Sequence, residues 1–433
     1  MKSRARRPAL WLGGCFVGLC LFCGAGYFLI VSVLGPNADK LEQERETARK
    51  LGLPLTAADM VRNTPASENA APLYQAVFAD VKAALNPLKA HKSDLPPHSP
   101  EAGELAKFVQ RKHLIERIMA ATARPHCNFH KDYEQGPALA FPELSSMKDV
   151  ARVLQYTAER RFADGDYEGG AQVLQAMLRE RDHYQEEQLV IHYLLAVSAE
   201  MMVHSAIHHS LQGGKVTPQG LAVLTKFYSS LGPQPDLKRA IKGEAVFGQL
   251  AIDSIKSTRD ISQSTGDWND GDSSSGFDIP IPGRVRDSWR ASHLHYMNAL
   301  VTELAETNDW NSATAVLEKF DVQIAADNSF SNKINQILFP VFTGLGVAAT
   351  RLQAMRNLSI TEIKLLRMGR NALPTSLDSF GKEADDPFGT RLVYKSLPNG
   401  FTLYSVGPNR RDDGGKKGKT DFDDILVSVD WAK

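Results

Sequence analysis

Cysteine is scarce. The 433 residues contain four, and three of them, Cys15, Cys20 and Cys23, fall in one apolar run near the N-terminus. Only Cys127 lies beyond that run, so the rest of the chain has no internal disulfide to lean on and must be held by its core. An excess of charge is missing too. Fifty Lys+Arg balance fifty Asp+Glu, which argues against the basic surface of a dedicated nucleic-acid binder. With 43% apolar and 23% charged residues, the composition excludes a largely disordered or collagen-like chain. Familiar catalytic signatures are also lacking: no HExxH, GxSxG or Walker A sequence occurs. Ser145-Ser146-Met147-Lys148 and Ser379-Phe380-Gly381-Lys382 match SxxK, a pattern frequent by chance, without the accompanying KTG.

The strongest positive signal lies at the N-terminus, before Gly35. Lys2, Arg4, Arg6 and Arg7 precede a long apolar run, Ala9 to Leu34, that contains no charged side chain. As a helix it reaches roughly 39 Å, enough for a bilayer core of about 30 Å with some tilt. That length favours an uncleaved anchor over a signal peptide, whose apolar core is about 7–15 residues. Leu12-Gly13-Gly14-Cys15 resembles a lipobox, but most of the apolar run follows its cysteine. The basic cluster predicts a cytoplasmic N-terminus with everything after Pro36 outside, as in a protein of the bacterial inner membrane. Gly14 and Gly18 have the GxxxG spacing that permits a homodimer of such helices. Because this N-terminal stretch takes basic residues and no acidic ones out of an even balance, the body that follows is mildly acidic.

From about 40 to 370 the pattern is helical. Val150, Val153 and Leu154, then Val173, Leu174, Met177 and Leu178, recur at three- and four-residue spacing, and a long apolar run follows from Leu189 to Leu211. Two places share a local grammar. Asp164-Gly165-Asp166-Tyr167 precedes Ala171 and Val173-Leu174; Asn308-Asp309-Trp310 precedes Ala313 and Val316-Leu317. In each, an aspartate is placed to cap a new helix, an aromatic residue to wedge a helix pair, and a small residue to allow close packing. Both resemble the turn between paired helices of tetratricopeptide repeats, and imply helical hairpins rather than a regular array. Residues 262–288, rich in Ser, Gly and Asp and then Pro280 and Pro282, predict a long loop. Asp267, Asn269, Asp270 and Asp272 within it miss the EF-hand spacing.

Two groups invite a transition metal. Glu200, His204 and His208, at i, i+4 and i+8, share one helix face, and histidines four apart can hold zinc. His192 and His209 stand nearby in sequence. His126-Cys127-x-x-His130 is a weaker candidate.

After Arg370 the chain changes character. Leu392-Val393-Tyr394, Phe401 to Val406 and Ile425 to Val429 read as three short strands, with Pro398-Asn399-Gly400 as a turn. A sheet this small needs a helix on its apolar face, and the stretch from about Phe339 to Met368 supplies one. Leu373-Pro374-Thr375, Asp386-Pro387-Phe388-Gly389-Thr390, Tyr394, Phe401-x-Leu403-Tyr404-Ser405-x-Gly407, Gly414-Gly415 and Asp424-Ile425 agree in order and spacing with one family. Across these motifs the segment resembles the globular end of the major pseudopilin of bacterial type II secretion systems. The anchor, helical body and this ending together resemble membrane-anchored envelope proteins of Planctomycetes-like bacteria. The pseudopilin resemblance implies calcium between the last strands, with Asn409 and Asp424 at ligand positions and the Val406 carbonyl nearby; Asp412, Asp413, Asp421 and Asp423 add carboxylates. The apolar run carries neither the processing motif nor the early glutamate of a pseudopilin, so the resemblance implies a borrowed domain rather than a filament subunit.

The expected protein is therefore mainly α: a basic tail (1–8), a membrane helix (9–34), a helical body with tetratricopeptide-like hairpins (35–338) and a small α+β ending (339–433). The expected role is an extracytoplasmic scaffold that binds a protein partner, without inferred catalysis. A secretion- or pilus-associated component that binds calcium, and a metal-dependent hydrolase built on Glu200, His204 and His208, are the two alternatives.

Overall fold

The computed structural model describes residues 38–88, 95–260, 278–339, 341–415 and 424–432. The expected anchor, Gly14 and Gly18, most of the 262–288 loop, Asp421 and Asp423 lie outside these residues.

The described chain is mainly helical and ends in a small antiparallel sheet. Its helices are α1 (Leu41–Leu51), α2 (Ala57–Met60), α3 (Ala71–Leu85), α4 (Pro100–Arg111), α5 (Leu114–Thr122), α6 (Glu143–Ala163), α7 (Tyr167–Tyr184), α8 (Val190–Leu211), α9 (Pro218–Ser229), α10 (Leu237–Ser254), α11 (Gly283–Ala305), α12 (Trp310–Ala326), α13 (Phe330–Leu338) and α14 (Thr343–Met368). The strands are β1 (Val393–Leu397), β2 (Gly400–Ser405) and β3 (Ile425–Asp430), in the order β1-β2-β3.

Both expected turns join paired helices, α6 with α7 and α11 with α12. Asp166 accepts the Gly169 amide at 2.9 Å and Asp309 the Ser312 amide at 2.9 Å, so each satisfies a backbone donor that the helix start leaves open. In the first hairpin the aromatic wedge is half-buried and closely neighboured. The Tyr167 ring lies 6.0 Å from that of Phe162, and a side chain at Gly170 or Gly220 would strike one of these two rings.

By length and apolarity α8 is able to cross a membrane, yet it lies among other helices with Ala196, Val203, Ala206 and Ile207 fully enclosed. Such all-round apolarity suits a central core helix equally well. The expected 262–288 loop does not reach its C-terminal bound. Residues 283–288 form the first turns of α11, because Val285 and Trp289, four apart, turn together into a small core with Ile252, Ile255 and Ile334.

The three strands and their covering helix fall where their residues place them. The Pro398-Asn399 turn pairs Leu397 with Gly400, and β3 alternates Ile425, Val427 and Val429 inward. α14 packs against β2 and β3. Phe401 and Leu403 share one face of the central strand, while Tyr404 faces the opposite way beneath the 409–415 loop. The sheet does not form a core of its own. One hydrophobic cluster joins Tyr74, Leu154 and Ile207 of the helical body to Leu358, Phe401 and Val427, so residues on both sides of position 338 build it.

Candidate functional site

Two adjoining cavities lie beside α12, the first within the helical body and the second between that body and the C-terminal segment. One, of about 810 Å³, is lined by α7, the 230–238 segment and the start of α12. The other, of about 1040 Å³, is lined by the α11–α12 turn, α14 and the 382–390 segment. Lys238, Trp310 and Ala313 line both. The second hairpin turn and the Asp386-Pro387-Phe388-Gly389-Thr390 motif, far apart in sequence, thus border one groove.

Each wall is positioned by a specific local bond. Asp309 starts α12 and sets Trp310 at the rim. Lys238 Nζ reaches across to the Thr307 carbonyl at 3.0 Å. The Gly232 and Pro233 carbonyls accept Arg356 at 3.0 Å and Arg181 at 3.4 Å. Asp386 is buried, and its carboxylate collects Phe388 N–H at 3.0 Å, Val406 N–H at 2.8 Å and the Ser405 hydroxyl at 2.7 Å. The motif thereby knits the groove's far wall to the end of β2. Along the floor runs a row of amides. Gln234 Nε2 donates to Gln353 Oε1 at 2.7 Å, Gln353 Nε2 to Asn357 Oδ1 at 2.8 Å, and Asn357 Nδ2 to the Asp385 carbonyl at 2.8 Å.

Beneath the groove, Glu200, His204 and His208 share the α8 face as expected, and His204 Nε2 lies 3.5 Å from Glu200, but each also turns to a partner of its own. Glu200 is fully buried between Arg181, at 2.6 Å, and Arg356. Burial pushes its carboxyl upward, and hydrogen bonds from His204 and Arg356 with the Arg356 charge outweigh it, leaving it at about 2. His204 Nδ1 meets the Tyr228 hydroxyl at 2.8 Å, and burial holds this imidazole below its usual range despite Glu200. His208 Nδ1 turns to Glu362 at 2.9 Å. His192 packs edge-on against Phe141, and His209 pairs with Glu159 at 3.0 Å. In this arrangement the three side chains do not converge on one point. A divalent ion at Glu200 would face two guanidinium groups already neutralising that carboxylate, whereas a ligand set needs the side chains to converge on one point.

His126-Cys127-x-x-His130 is likewise absorbed into packing. Cys127 is buried, and its amide donates to Glu186 at 3.1 Å, the same carboxylate that His126 Nδ1 faces at 3.3 Å. Arg62 bonds Glu186, Glu187 and the Cys127 carbonyl, tying three segments together. Burial, with Glu186 nearby, raises the Cys127 thiol far above its ordinary range, which disfavours the thiolate.

In the C-terminal loop Asp424 accepts the Gly415 amide at 2.8 Å and the Asp413 amide at 3.4 Å. Asp412 accepts the Tyr404 hydroxyl and the Gly414 amide, each at 2.8 Å, and Asp413 accepts Asn409 Nδ2 at 2.8 Å. Partial burial raises the Asp424 carboxyl, with Asp413 and Asp412 adding repulsion that the backbone donors offset. Of the residues implied for calcium, Asn409 presents its amide nitrogen to Asp413, Asp424 accepts backbone amides, and Val406 is held through its N–H rather than its carbonyl. Among the described residues, no three His, Cys, Asp or Glu side chains are grouped to hold one ion.

No protein-family model, curated protein or solved structure matches this chain. The groove residues Gln234, Gln353 and Asn357, and the arginines Arg181 and Arg356, carried no signal as a set in the sequence. The one local hint is Gln353 and Asn357 four apart on a helix, and that spacing acquires meaning only with Gln234 beside it.

Proposed function

We propose that this chain is a membrane-anchored scaffold of the bacterial envelope, with its N-terminus in the cytoplasm and its main body outside, that binds a protein partner in the groove. The observation that carries this reading is the meeting of the second hairpin turn with the Asp386–Thr390 motif around Lys238 and Trp310. The two aspartate-capped hairpins are similar to paired tetratricopeptide helices, which supports a recognition role for the surfaces between them. The residues 9–34 serve as the anchor, and Gly14 and Gly18 offer a face for pairing two anchors.

Crosslinking in native cells, purification from membranes and identification of the captured proteins test this. A partner retained by the wild type and lost with Trp310→Ala, at unchanged expression and melting temperature, is the expected result. Retention of every captured protein by that variant removes the groove from the account.

A second reading is association with a secretion or pilus machine. The small antiparallel sheet laid on the long helix α14 favours it. Recovery of secretion components in the same capture, with a secretion defect on deletion, promotes this reading; an intact secretome on deletion ends it.

A further inference from the structure

We infer that the end of the body at which α1, α11 and α13 begin stands on the membrane, with Ile279 and Phe330 entering the lipid interface. This rests on residues 9–34 being the anchor and adds how the body meets the bilayer.

Three helices start at this end. Asp39, in the turn that leads into α1, takes two guanidinium nitrogens of Arg284, at 2.7 and 3.0 Å, at the start of α11. Further along, Glu44 pairs with His295 at 3.0 Å and accepts Asn298 Nδ2 at 2.9 Å, so α1 and α11 run in the same direction. α13 runs with them: Ser331 meets Ser288 at 3.1 Å, and Asn335 donates to Ser292 at 3.1 Å. α10 arrives from the opposite direction, and Ile252 and Ile255 at its end share a core with Val285 and Trp289. The chain between α10 and α11 closes this end. Ile281 N–H donates to the Lys256 carbonyl at 2.7 Å, and Thr258 N–H to the Ile279 carbonyl at 3.0 Å.

The outermost step of that closure is apolar. Ile279 is 58% exposed, whereas Ile281 behind it packs on the local core. Phe330, the first residue of α13, is 41% exposed, with its ring 5.8 Å from that of Trp289. A lone exposed apolar side chain is ordinary. These two gain significance from the tether. Gly35, Pro36, Asn37 and Ala38 alone separate Leu34, the last residue of the apolar run, from Asp39. Fully extended, that connection reaches at most roughly 18 Å. The headgroup layer outside the hydrocarbon core takes up about 5–7 Å of it. The Asp39–Arg284 pair hands this short reach on to α11, so the end that carries Arg284 is the end held at the bilayer. Charge there is compatible with a lipid surface. Lys40, Lys256, Arg259 and Lys333 are exposed, while Asp260 and Asp278 are turned onto backbone amides.

The test uses the full-length protein carrying Cys15→Ser, Cys20→Ser and Cys23→Ser in phosphatidylcholine vesicles; Cys127 is buried and takes no label. A bimane label is attached through Ile279→Cys or, as reference, through Leu397→Cys, 47% exposed on β1. α8 starts at Glu244 of α10 and brings Tyr193 near Asp236, so it leads away from the membrane end to Gln212, whose carbonyl holds Asp430 of the sheet. Bromine atoms on the lipid chains are expected to quench the label at 279 about twofold and to leave that at 397 unchanged. Adding Phe330→Asp is expected to remove most of the quenching at 279, at unchanged melting temperature. No quenching at 279, in protein that stays with the vesicles through an alkaline carbonate wash, overturns the inference and leaves the anchor standing. Release by that wash overturns the anchor reading and this inference with it. Equal quenching at both positions overturns the inference, because no one end is then held at the bilayer. A label at 279 that is shielded from aqueous iodide but untouched by bromine also overturns it, by assigning the cover to protein. Quenching at 279 that survives Phe330→Asp in the folded protein removes Phe330 from the contact and overturns the paired insertion.

Discussion

The two hairpin turns begin alike and end differently. In each, an aspartate caps a helix and an aromatic residue follows it. Around Tyr167 the neighbours close in: Phe162 lies against its ring, and the start of α9 approaches so closely that Gly220 has no room for a side chain. Trp310 is half-buried, as Tyr167 is, but it lines two cavities. The same local chemistry makes a closely packed joint in one place and a cavity wall in the other. A turn motif therefore specifies a helix pair, and the third element packed against it decides whether its aromatic residue meets another helix or open space.

The difference is open to measurement. The largest effect is expected beneath the groove, where Glu200→Ala takes the carboxylate from Arg356 and leaves buried Arg181 with Asp182 alone. Loss of one partner from such a cluster costs roughly 3–5 kcal/mol, read by urea unfolding at neutral pH. Because folding depresses the Glu200 carboxyl to about 2, its contribution is complete above the ordinary value of 4.5 and is lost as pH falls toward 2. The penalty of the substitution should shrink over the same interval, and a pH-independent penalty would refute the ion-pair account.

Next comes the direct contrast. Tyr167→Ala should destabilise the protein by about 2 kcal/mol and leave partner capture intact in the surviving folded population. Trp310→Ala should cost less stability and lose the partner. A reversal of these two outcomes would place recognition at the first hairpin. The caps supply a control: Asp166→Ala and Asp309→Ala should each cost about 1 kcal/mol in thermal unfolding, since each leaves one helix-start amide unbonded. Unequal costs would show that the caps do more than end helices.

The smallest effect concerns Glu180, buried on the first hairpin's second helix with one oxygen unpartnered. Burial raises its carboxyl well above 4.5, against a weaker pull from the Tyr184 hydroxyl. The folded chain keeps a proton that the unfolded chain releases, so stability falls as pH rises above 4.5. Glu180→Gln removes that dependence, and its gain in melting temperature over the wild type should be larger at pH 8 than at pH 5. A gain independent of pH would mean that the carboxyl is ionised in the folded state.

Much of the architecture was legible from local patterns. Asp166 and Asp309 act as caps, the Pro398-Asn399 turn joins its two strands, and the apolar stretch ending at Met368 covers the sheet. Each depends on residues within a few positions of one another. The start of α11 was hidden because Pro280, Pro282 and Gly283 read as loop, while the burial of Val285 and Trp289 depends on Ile334. The shared face of Glu200, His204 and His208 was legible as well, but not its use. Arg181 lies 19 residues before Glu200 and Arg356 lies 156 after it, and no periodicity links such positions.

By itself, the sequence determined where helices begin, where strands turn and which faces are apolar, because capping, turn geometry and side-chain alternation act within a few residues. Only the tertiary structure decided that a glutamate on α8 neutralises two distant arginines, that Gln234 completes a row begun on α14, and that Trp310 lines two cavities where Tyr167 meets Phe162 and Gly220. Those outcomes depend on which elements meet across the core, and burial, ion pairing and amide polarity take their values only after that meeting.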